Sequence, residues 1–154
     1  TVKQIVTLTD VGSYSSNATS LTEITANWRL AVTPLSASSK LILKVEFSLN
    51  TTNAEIHLFD FYDVTNTAAV GSGTAVSNRR ACNRAYRGQG TDGNDSGVMT
   101  MYAVINSTNT TARTYTIRTT SETTGTATTY FNYSNGDNAI YGWNTPFTFT
   151  ITEF

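Results

Sequence analysis

The sequence predicts an all-β protein, an antiparallel β-sandwich of jelly-roll-like type with about eight strands and no significant helix. Three observations carry that expectation. Near the C-terminus Phe147, Phe149 and Ile151 alternate with Thr148, Thr150 and Thr152, the two-residue period of a half-buried strand. Threonine, whose branched β-carbon suits a pleated sheet, supplies about a fifth of the 154 residues, and only 14% are charged, against roughly a quarter in ordinary soluble domains. No stretch shows the apolar period of a helix.

Val2 to Thr9 reads as the first strand, followed by a Gly-Ser-Tyr-Ser-Ser-Asn loop. Leu21 to Val32 is a less regular second strand anchored by Ile24, Trp28 and Leu30 and stopped by Pro34. The clearest alternation follows: Leu41, Leu43, Val45, Phe47 and Leu49 face one way, and Lys40, Lys44, Glu46 and Ser48 the other. Glu55 to Val64 and Val98 to Ile105 are apolar on both faces, which suggests that one outer face meets another subunit. Asn66 to Gly73 reads as a turn region and Gly88 to Gly97 as a long glycine-rich loop. Arg113 to Thr120, Thr126 to Ser134 and the terminal strand complete the set.

Residues 1–154 are expected to form a single domain, since a chain of this size buries roughly 70% of its unfolded surface without staples. A net charge of -1 gives no electrostatic reason to seek nucleic acid or an anionic membrane, and no apolar run is long enough for a membrane helix. Cys82 is the sole cysteine, so an internal disulfide is excluded, and a small buried apolar role is expected for it. No secretory signal is expected, and whether residues come before Thr1 is left open.

Chemistry-bearing residues are sparse. His57 is the only histidine, which excludes a two-histidine metal site and favours a hydrogen-bonded strand histidine. The odd spacing of Asp60 and Asp63 puts them on opposite faces of a strand, against a carboxylate pair for glycoside hydrolysis. Asp92, Asn94 and Asp95 offer oxygens to calcium but lack the EF-hand order, so they read as solvated turn residues. No metal, cofactor or catalytic set is expected, and the chain reads as a non-enzyme.

Two groups suit contact with a partner. Arg79, Arg80, Arg84 and Arg87, interleaved with Tyr86, form the concentrated charge of the chain, able to grip carboxylates or phosphates, or to pair with acids such as Asp60 and Asp63. Tyr130, Phe131, Tyr133, Tyr141 and Trp143 surround an Asn-Gly-Asp-Asn turn, and exposed aromatics anchor interfaces and stack on sugars. Arg84, Tyr86, Arg87, Tyr141 and Trp143 are therefore the candidate contact residues.

The order of segments also resembles a known family. Ala31-Val32-Thr33-Pro34-Leu35-Ser36-Ala37-Ser38-Ser39-Lys40-Leu41-Ile42-Leu43 is similar to the V-T-P-S-S-x-S-S-K-I-L signature of C-terminal domains in tailed-phage fibre and virion structural proteins. Tyr115-Thr116-Ile117-Arg118, Asn132-Tyr133-Ser134-Asn135-Gly136-Asp137 and Phe149-Thr150-Ile151-Thr152-Glu153-Phe154 resemble later segments of that family, in the right order. The chain departs from it between Arg79 and Gly97 and near Trp143. The resemblance implies a virion-surface role, a homotrimer, contacts with other virion proteins and a host glycan or protein as receptor, and it supplies no catalytic residues. A capsid-decorating protein is the alternative, and a lectin-like or glycan-active domain a further one.

Overall fold

The computed structural model describes residues 1–88, 96–121, 127–136, 139–140 and 142–154. Its strands are β1 (Gln4–Asp10), β2 (Tyr14–Ser16), β3 (Thr22–Glu23), β4 (Leu30–Val32), β5 (Lys40–Thr51), β6 (Ile56–Asp63), β7 (Ala68–Val70), β8 (Arg84–Arg87), β9 (Gly97–Asn106), β10 (Arg113–Ser121), β11 (Thr129–Phe131) and β12 (Phe147–Glu153). All pairings between them are antiparallel.

One sheet runs β1-β12-β5, with β9 on the other flank of β5, and β11 and then β2 extend it beside the far end of β5. In the other sheet β10 lies beside β6, β3 and β4 share the outer flank of β10, and β7 and β8 share that of β6. If β3 with β4, and β7 with β8, are each taken as one interrupted strand, the first sheet holds the first, last, third and sixth strands in space. The second sheet holds the second, seventh, fourth and fifth. That interleaving is the jelly roll. Seven of these eight positions match expected strands; the position filled by β7 with β8 reads in the sequence as a turn and an arginine stretch, and the expected strand Thr126 to Ser134 becomes the added short strand β11, so that twelve segments form in all.

Each break has a local cause. Between β3 and β4 the chain makes a 3-10 turn, Ala26–Trp28, whose first free amide, Asn27 N, donates to the capping Thr25 hydroxyl at 3.2 Å. The turn swings Trp28 into the core. Between β7 and β8 the chain leaves the sheet through Gly71, held at φ 64 with its α-carbon against Ala103 of β9. The expected loop after β1 contains β2, and the expected turn region Asn66 to Gly73 contains β7. Periodicity is silent about strands of three residues.

The core lies between the sheets. Leu43, Val45, Phe47, Phe149 and Ile151 are all buried there, as the alternation predicts, with Trp28, Phe59, Phe61, Phe131 and Phe147. β12 is inserted between β1 and β5 in full register, so the C-terminal end is pinned by two ladders.

The two-sided strands have different explanations. On the outer face of β6 the covering comes from the chain itself: Asp60 receives a bidentate pair from Arg118, whose guanidinium lies 4.0 Å from the Tyr62 ring centroid, and Thr116 and Thr120 are buried beside them. The outer face of β9 is bare. Val98, Tyr102 and Val104 are 75%, 47% and 61% exposed, and register carries this row across Ile42 and Thr152 to the exposed Ile5.

Candidate functional site

Arg84 and Arg87 are the ends of β8, an edge segment paired with β6 so that Arg84 opposes Phe59, Tyr86 opposes His57 and Arg87 opposes Ile56. Side chains alternate along a strand, so Arg84 and Tyr86 leave from one face and Arg87 from the other. Tyr86 turns inward, packs against the core and places its ring over Gly97, where a β-carbon would collide with it. Arg84 and Arg87 are exposed, and Arg84 donates to the Asn83 carbonyl at 2.9 Å. Arg79 closes a turn with Val76, through Ser77 at φ 55, and Arg80 follows it at the surface.

The ion pairs among the described residues are Arg29 with Glu23, Lys44 with Glu46 and Arg118 with Asp60. Asp60 is thus taken by Arg118. Asp63 accepts from Asn66, at 3.0 Å from its amide and 2.7 Å from its side chain, and closes the turn after β6. Neither acid answers the arginine cluster, and they serve opposite faces of β6 as their odd spacing requires. Arg79, Arg80, Arg84 and Arg87 therefore present charge that no described acid neutralises.

His57 is buried and shares a 2.8 Å hydrogen bond between Nδ1 and the Thr129 hydroxyl. Cys82 is half-buried rather than fully buried. Burial, then the nearby Asp60 charge, push its thiol upward, away from the reactive thiolate. Asp92, Asn94, Asp95 and Tyr141 lie outside the described residues.

Trp143 sits at the second candidate group. Tyr133 pairs with Asn144, and beside them Ser134 N donates to Trp143 O at 3.0 Å while Trp143 N donates to the Ser134 hydroxyl at 3.1 Å. Beside this bridge lies an open cavity of about 380 Å³, bordered among the described residues by Tyr133, Asn135, Trp143 and Asn144 with Gly136 and Gly142. Asn135 N reaches the Asn50 side chain at 3.4 Å, and Gly88, just past Arg87, packs on Thr51. Both candidate groups thus flank the Asn50–Thr51 end of β5, at one end of the sandwich. Asn135 and Asn144 were not singled out by sequence. The available signal was the Asn-Gly pair between two aromatic segments.

No family model and no curated protein matches the sequence. Among solved structures, that of the infectious bursal disease virus Gx strain superposes with a TM-score of 0.46 at 14% identity, covering 97% of this chain and 36% of that one. The Gt strain gives 0.46 at 15%, covering 97% and 37%. The crystal structure of the infectious bursal disease virus VP2 subviral particle gives 0.44 at 16%, again with 97% and 37%. The chain spans little more than a third of each of these chains. The likeness is weak in sequence and in superposition, and no function passes from it to this chain.

Proposed function

We propose that the chain is a structural module on the surface of a tailed-phage particle, a trimeric fibre or fibre-tip domain that attaches to the host through the end of the sandwich carrying Arg84, Arg87 and Trp143. The observation that carries this reading is the meeting of two segments that resemble the phage family. Glu153 of the closing segment accepts from the amides of Leu35 at 2.9 Å and Ser36 at 3.2 Å, inside the Val-Thr-Pro segment, and from Gln4. Segments far apart in sequence meet as one physical unit, a buried carboxylate capping a loop, which supports reading their joint occurrence as one scaffold. Loops on such a scaffold carry recognition. Arg87, next to Gly88, and Trp143, across the bridge from Ser134 and Asn135, lie on an edge segment and a loop beside Thr51 and Asn50.

The exposed outer-face residues Ile5, Tyr102 and Val104, with the half-buried Ile42 opposite Val104, support assembly of copies. The same row favours a second reading, a capsid-decorating protein that seats it on the shell. Adsorption of the purified protein to host cells tests the first reading. Arg84→Ala with Arg87→Ala is expected to reduce it while melting temperature and oligomeric state stay unchanged. Tyr86 is unsuitable for this test, because its contact with the core means that Tyr86→Ala lowers stability as well. Loss of assembly onto the particle with adsorption intact would favour decoration.

A further inference from the structure

The cavity beside Trp143 has the size and lining of a small-molecule site. At about 380 Å³ it falls in the range of roughly 300–1,000 Å³ usual for such sites. Its described lining offers two aromatic rings, Tyr133 and Trp143, and two primary amides, Asn135 and Asn144, with Gly136 and Gly142 adding no side-chain bulk. No residue of that lining carries a charge at neutral pH. A primary amide has both donors and an acceptor, which matches hydroxyl groups that also do both. An anion would find no cation among the described lining residues, and an apolar ligand would strip water from the amides without replacing their hydrogen bonds.

The walls are held before any ligand arrives. The Ser134 hydroxyl accepts from Trp143 N and donates to Gly136 O at 3.0 Å, so it is occupied in framing the turn. The Tyr133 ring stands edge-on to Tyr130 at 5.3 Å. Recognition therefore falls to the Asn135 and Asn144 amides, and stacking to the two rings. Preorganised walls leave less entropy to lose on binding.

The geometry points to a neutral-saccharide site in this cavity, with the apolar C–H face of a pyranose against Trp143 or Tyr133 and its hydroxyls bonded to Asn135 and Asn144. This assignment rests on the attachment reading and gives its receptor a chemical class, an uncharged glycan.

Tryptophan emission reads the site directly, because Trp28 is sealed in the core while Trp143 borders the cavity. The probes are glucose, galactose, mannose, N-acetylglucosamine and N-acetylgalactosamine with their short oligomers; sialyllactose, a sugar phosphate and adenosine serve as competitors of other chemistry. At least one neutral sugar is expected to shift the emission and to bind by calorimetry. Trp143→Ala and Asn144→Ala are each expected to weaken that binding about tenfold or more, with the melting temperature held. No binding by any neutral sugar up to about 10 mM, tighter binding of a charged sugar or adenosine, or undiminished binding by Trp143→Ala would overturn the assignment. Cell adsorption separates the two claims. Adsorption that neither the sugar nor Trp143→Ala reduces sinks the saccharide site and leaves attachment standing, whereas sugar binding at Trp143 without adsorption does the reverse.

Discussion

Trp28 lies flat on Phe147, ring centroids 3.9 Å apart and planes 2° from parallel, and its indole N–H donates to Asp10 at 2.9 Å. The pair joins the 3-10 turn of the second sheet to the start of the terminal strand of the first. Trp28→Ala removes the largest side chain of the core and is expected to cost about 3–5 kcal/mol, read by chemical denaturation. Phe149→Ala, two residues along the same buried face, is expected to cost a similar 3–5 kcal/mol, about the scale for an emptied aromatic site. A loss below about 1 kcal/mol at either position contradicts the packing described.

Glu153 links stability to acid. Burial raises its carboxyl, but hydrogen bonds from Ser39, Gln4 and the Leu35 and Ser36 amides outweigh that and hold it at about 2, below its ordinary 4.5. A depressed carboxyl stabilises the fold above the unfolded value and loses that contribution as pH falls through the folded one. Melting temperature is therefore expected to fall between pH 4.5 and 2, and Glu153→Gln to lower it at neutral pH while flattening this part of the profile. An unchanged profile in the variant would place the acid sensitivity elsewhere.

Asp60 is buried with Arg118 as its partner. Truncating one member of a buried pair strands the other, so Arg118→Ala is expected to destabilise by about 3–5 kcal/mol. Adding Asp60→Asn to Arg118→Ala is expected to recover part of the loss, since no charge is then left buried, and Asp60→Asn alone is the fourth protein. A thermodynamic cycle on the four proteins checks this.

Much of this architecture is legible in the sequence, and the exceptions have physical reasons. Long strands such as β5 and β12 reveal themselves because a face that must be buried imposes a period of two. β2 and β7 are too short to show a period, and they form because β11 and β6 supply hydrogen-bonding edges, whereas β11 lies inside the strand expected over Thr126 to Ser134. Arg118 belongs to a family-like strand segment, yet its pairing with Asp60 follows from the β6–β10 register, which composition does not encode. At the candidate site, Trp143 and the arginines stand out by residue type. The inward turn of Tyr86 and the gathering of Asn135 and Asn144 depend on pairing across loops.

The bare face of β9 gives an assembly prediction. Val104→Asp, with Tyr102→Asp as a second variant, is expected to convert the proposed trimer to monomer in sedimentation at micromolar concentration without lowering the melting temperature of the subunit. A wild-type protein that sediments only as monomer would remove the trimer and leave that face for the capsid shell.

The central claim is that this jelly roll sits on the outside of a phage particle and presents the Arg84–Trp143 end to the host. A density map of the intact particle tests it most directly. The predicted result is the twelve-segment sandwich in groups of three at the particle exterior, with the Asn50–Thr51 end of β5 pointing outward. Absence of the chain from the particle, or its placement with that end buried against other virion proteins, would contradict the claim.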